Sequence, residues 1–171
     1  MMMKEKLMTP EAFAGYRSAD SGYENALNLM VSGQWEDALA SLVLDKTPEK
    51  VLGWVVQQVT QLPLNPPALQ CVADINQWLK THDEGLRRDI FLQAENLGFD
   101  TPVGAAGLAL FWMQGSMTPD EFEAVYPEAH LAPLMLHCAL KQLSVLLAAD
   151  NAPLIGTQNL LAQWHTVQGG H

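Results

Sequence analysis

Apolar residues recur at spacings of three and four along most of the chain, and no stretch alternates with the period of two that a half-buried strand requires. Val51, Leu52, Val55, Val59 and Leu62 form one stripe; Leu69, Val72, Ala73, Ile75, Trp78 and Leu79 form a second; Leu86, Ile90, Phe91, Ala94 and Leu97 form a third. Earlier in the chain, Tyr23, Ala26, Leu27, Met30 and Val31 read as one helix face, and Trp35, Ala38, Leu39 and Leu42 as another. Residues 101–113 are apolar on nearly every side, the mark of a helix at the centre of a core. These patterns predict helices at 9–17, 21–31, 34–44, 47–62, 65–80, 83–97, 101–113, 118–126, 131–149 and 153–167.

Local chemistry agrees with the periodicity. Thr or Asn stands before Pro at Thr9-Pro10, Thr47-Pro48, Asn65-Pro66, Thr101-Pro102 and Thr118-Pro119. The first residue accepts a hydrogen bond from an orphan N–H of the opening turn. Pro follows where a missing N–H costs nothing. Gly33, Gly98 and Gly115 stand where helices should stop. The expected fold is all-α: one compact multi-helix domain over 9–168, built from antiparallel pairs of nine or ten helices. Residues 1–8 read as a flexible tail, and Gly169-Gly170-His171 should fray. The run Gly33-Gln34-Trp35-Glu36-Asp37-Ala38-Leu39 is similar to one turn of a tetratricopeptide repeat, but it occurs once.

Composition narrows the function classes. Charged residues are only 16% of the chain against 49% apolar, so part of the surface is uncharged, either as a face for a partner or as the Gln/Asn/Ala-rich exterior of a compact bundle. The formal net charge is −10, and no Lys or Arg occurs between Arg88 and Lys141. A basic nucleic-acid face is therefore not expected. No apolar run approaches a membrane span, and the first residues are too charged for a signal peptide, which predicts a cytoplasmic protein. Cys71 and Cys138 sit among apolar neighbours and read as packing residues.

Catalytic signatures are not visible. His130 and His137 are seven residues apart, about 10 Å along a helix, too far for one metal ion. Cys138 beside His137 points to a different face. Gly104-Ala105-Ala106-Gly107 lies within a helix and suggests close helix packing rather than a phosphate loop. No cofactor, metal or catalytic residue is therefore expected. Asp120, Glu121 and Glu123 read in two ways: as complements to a helix dipole, or, with Glu128, as a steering patch for a basic partner. Among the tryptophans, Trp112 reads as the most fully packed. Trp164, with Leu160 and Leu161 on a nearly charge-free helix, reads as an interface.

Two stretches carry a resemblance. Residues 38–54 include Pro48-Glu49-Lys50-Val51-Leu52-Gly53-Trp54. Residues 94–119 include Thr101-Pro102-Val103-Gly104, then Phe111-Trp112-Met113-Gln114-Gly115-Ser116. Over residues 35–149 the chain resembles an uncharacterised family of short all-helical bacterial proteins found near type VI secretion genes. The resemblance implies an accessory or adaptor role in a secretion-linked system. With no catalytic constellation in the sequence, the expectation is a non-enzymatic interaction module whose partner is another protein, a homo-oligomer being the other expectation. Two rival expectations stand beside it: an immunity or chaperone-like protein that binds a basic effector through an acidic face, and an enzyme or ligand-binding bundle assembled from distant residues.

Overall fold

Four of the five Thr/Asn-Pro pairs open helices as the capping chemistry requires. Thr9, Thr47, Asn65 and Thr101 hold extended backbone, and their side chains accept from Ala12, Lys50, Ala68 and Gly104 N–H respectively. A computed structural model describes residues 2–169. Among these the helices are α1 (Met2–Leu7), α2 (Pro10–Gly15), α3 (Gly22–Val31), α4 (Trp35–Val43), α5 (Pro48–Val59), α6 (Pro66–Thr81), α7 (Glu84–Leu97), α8 (Pro102–Met113), α9 (Leu131–Ala148) and α10 (Pro153–Gly169). There is no strand among the described residues, and helix accounts for 71%. The fraying expected of Gly170 and His171 lies outside the described residues.

Two helices form the middle of the molecule. Every residue of α8 from Pro102 to Phe111 is buried, and α8 packs on α5, α7 and α9. Gly104 and Gly107 make the close approach possible. A Cβ at Gly107 would lie 2.7 Å from Ala94 Cβ, and one at Gly104 would meet the Gly98 carbonyl. The expected packing role of these small residues is what α8 displays. The other central helix, α9, touches α4, α5, α8 and α10. It corrects the expectation of no span-length run: its 18 residues have a mean hydropathy of 1.5. Its apolarity has a packing account, since Leu136, Ala139, Leu140 and Leu143 are buried in the core.

Other departures are local. Met2–Leu7 are helical rather than a loose tail. Leu7 and Met8 are buried, and α1 packs on α9. Two apolar side chains at the end of a charged octet are enough for tertiary burial to order it. In α3 the inward face is Gly22, Asn25, Ala26 and Leu29, while Leu27 and Val31 are exposed. Asn25 tolerates burial because its amide donates to the Arg17 and Ser21 carbonyls and accepts from Arg17 N–H. Asp37 is buried too, accepting from the N–H and hydroxyl of Thr9, so it joins α4 to the cap of α2.

Buried titratable groups shape the pH response. Burial, then Asp74, pushes the Cys71 thiol up to about 12, so it is a protonated packing residue at neutral pH. His137 on α9 is buried, and its Nε2 donates to the Glu36 carbonyl at 2.7 Å, tying α9 to α4. Burial dominates and lowers its pKa to about 4; the Glu36 bond opposes this, Lys141 adds to it and Asp37 opposes it. The unfolded chain therefore takes up a proton near pH 6.5 that the folded chain resists. The stability His137 contributes as a neutral group is complete above pH 6.5 and falls as pH drops towards 4. The expected loss at pH 4 is about 3 kcal/mol. Urea denaturation between pH 7 and 4 should show a shallower decline for His137→Gln than for the native chain. Parallel declines would show that other groups set the acid response.

Candidate interaction surface

A helix end needs donors for its last carbonyls, and the end of α8 receives them from α7. Gln114 is extended (φ −154°, ψ 138°) and Gly115 has φ +85°, so the chain leaves the helix abruptly. Arg87, only 1% exposed, donates from Nε (3.1 Å) and Nη2 (2.7 Å) to the Phe111 carbonyl. Its Nη2 also donates to the Ser116 carbonyl at 2.9 Å, and its Nη1 pairs with Glu84 at 2.8 Å. The guanidinium lies 4.1 Å from the centre of the Phe111 ring. Burial lowers the Arg87 pKa and Glu84 opposes the shift. A positive group at a helix C-terminus is also favoured by the dipole. Gly115 completes this arrangement, because a Cβ there would sit 2.8 Å from Arg87 Nη1, on top of an unfavourable φ.

Arg88 extends the same hold. It pairs with Glu84 at 3.0 Å and donates to the Ser116 (3.2 Å) and Thr118 (2.8 Å) carbonyls. The 17 residues from 114 to 130 contain no helix or strand, and connections that long in compact domains are commonly functional. Here the connection is ordered from within. Ser116 Oγ accepts from Thr118 N–H (3.1 Å) and Val125 N–H (2.9 Å). The Thr118 hydroxyl donates to the Glu123 carbonyl at 2.8 Å, and Met117 N–H to the Val125 carbonyl at 2.7 Å.

This replaces the helix expected at 118–126. Thr118 has the cap sequence, but its hydroxyl is committed to Glu123 as a donor, and its own N–H goes to Ser116. The large apolar side chains of this segment are not taken up by the core: Phe122 is 63% exposed, Val125 47% and Tyr126 69%. Short helices need such burial to persist. The helix-dipole account of Asp120, Glu121 and Glu123 falls with the helix. All three are exposed on the loop, and none joins an ion pair among the described residues. Glu128 is exposed at the loop's end, 3.4 Å from His130 Nδ1. The loop thus brings the predicted carboxylates together with exposed aromatic side chains.

The second half of the predicted surface is not a surface. Leu160 is 0% exposed, Leu161 4% and Trp164 1%. Trp164 stands edge-on to Trp54, ring centres 4.9 Å apart. Leu160, Leu161 and Trp164 form the core face of α10, whose opposite side, with Gln158, Gln163 and Thr166, is exposed. Trp112 moves the opposite way. It is half-buried and lines a groove of about 360 Å³ between the start of α5 (Thr47, Pro48, Glu49), the end of α8 and the loop residues Tyr126 and Pro127. Sequence reasoning missed Arg87, Arg88, Phe122 and Tyr126. Glu84 three and four residues before two arginines reads as an ordinary surface-helix pairing. Among the described residues, no group of three His, Cys, Asp or Glu side chains could hold a metal ion.

The chain is therefore a compact all-helical domain that carries one long, internally bonded acidic loop. Residues 26–163 match DUF6931, a family of unknown function, and the chain belongs to that family. No curated protein and no solved structure matches it.

Proposed function

We propose that this protein is a non-enzymatic interaction module and that the 114–130 loop is the face it offers to a partner protein. The observation that carries the reading is the loop's construction. A buried arginine and a network of hydroxyls fix its backbone, while Phe122, Val125 and Tyr126 stand exposed beside Asp120, Glu121 and Glu123. Rigid backbone with exposed aromatic groups lowers the ordering cost of association. The cations nearest the carboxylates are turned towards Glu84 and backbone carbonyls, so the loop's field is negative and suits a basic partner. The resemblance carried by Phe111-Trp112 through Gly115-Ser116 supports an accessory or adaptor role in a bacterial secretion-related assembly. The Lys/Arg-free interval 89–140 also favours a second reading, in which the partner is a basic effector that this chain neutralises or escorts.

The test is charge reversal. Glu121→Lys with Glu123→Lys should leave the fold intact and slow association with a partner co-purified from the native host. Surface plasmon resonance should place the loss in the on-rate, and added salt should shrink it. Unchanged, salt-insensitive rates would overturn the reading.

A further inference from the structure

The molecule already contains one filled guanidinium site. At the end of α8, Arg87 lies against the Phe111 ring, pairs with Glu84 and donates to helix-terminal carbonyls. The groove beside Trp112 offers the same kinds of group around the next residue of that helix end. Trp112 and Tyr126 supply aromatic surface, Glu49 is the one formally charged lining residue, and the carbonyl end of α8 borders the space. No Lys or Arg lines it. The positive end of α5 also reaches the groove, but Thr47 caps it and Glu49 lies in its first turn. Glu49 is held by His82 Nε2 at 2.7 Å yet keeps about half its side chain exposed.

We infer that this groove receives an arginine side chain of the partner, its guanidinium against Trp112 and Tyr126 and within reach of the Glu49 carboxylate. A planar, weakly hydrated guanidinium stacks on aromatic faces and pairs with a carboxylate in a way that an ammonium does not. Tyr126 belongs to both the groove and the acidic loop, so a basic segment lying along the loop could place one arginine here. This inference rests on the interaction reading above and names the side chain that the surface selects.

The probe is N-acetyl-arginine N-methylamide, compared with the matched lysine and norleucine amides, added to the full chain and followed by NMR. The arginine amide should saturably shift the Trp112 indole N–H and the signals of Tyr126, with the lysine amide weaker and the norleucine amide inert. Tyr126→Ala, at an exposed position, and Glu49→Gln should each weaken the arginine response about tenfold, the scale of one charge-assisted or stacking contact. An absent shift at Trp112, or an equal response to the lysine or norleucine amide, would overturn the inference. If the arginine amide fails while charge reversal at Glu121 and Glu123 still slows partner association, the groove assignment falls and the interaction reading stands. If the arginine amide binds while charge reversal changes nothing, the steering role of the loop falls and the groove assignment stands.

Discussion

Trp164→Ala should lower stability by about 3–5 kcal/mol, the range for emptying a large aromatic site in a core. The indole is 1% exposed and lies edge-on to Trp54, itself 4% exposed, among residues of the same core that includes Leu160 and Leu161. Removing it opens a cavity between α10 and α5 that rigid neighbours fill only in part. Trp112→Ala, at the half-buried groove, should cost no more than about 2 kcal/mol, because water replaces much of what is lost. Urea denaturation of the two variants checks both values. A loss below about 1 kcal/mol for Trp164→Ala, or a larger loss for Trp112→Ala, would reverse the assignment of core and surface.

Arg87→Met should cost about 3 kcal/mol and loosen the loop. The methionine fills much of the space but supplies no donor, so the Phe111 and Ser116 carbonyls lose charge-assisted bonds worth about 1.5–3 kcal/mol each before relaxation. The remaining Glu84 is half-exposed and also paired with Arg88, so it is not left as a buried charge. Arg87→Lys should recover little, because one ammonium cannot reproduce a fork that reaches two carbonyls and a carboxylate. Limited proteolysis should cut both variants within 116–126 faster than the native chain. Native-like resistance in Arg87→Met would show that Ser116 and Thr118 hold the loop without it.

Where a sequence signal and a burial opportunity coincide, the chain is readable from its residues. Thr9, Thr47, Asn65 and Thr101 cap helices whose apolar faces have a core to enter. Thr118-Pro119 carries the same signal without the opportunity, and its segment stays a loop. The same distinction explains α1, where Leu7 and Met8 find the core despite a charged start. A lack of charge does not separate a core face from an interface, so Trp164 and Trp112 exchanged places. The carboxylates of the candidate surface were visible as a run without basic residues. The groove was not, since Glu49, Trp112 and Tyr126 are far apart in sequence and meet only through the packing of α5 on α8.

The loop divides its labour by position. Ser116 and Thr118 hold the backbone with Arg87 and Arg88, while the side chains of Glu121, Phe122, Glu123 and Val125 are exposed. Such an arrangement works as a cassette. Its exposed side chains can be rewritten without disturbing the clasp, because the clasp uses the backbone groups of Glu123 and Val125 and not their side chains. The side chains and the clasp are thereby separable: one can be changed by mutation while the other keeps its geometry.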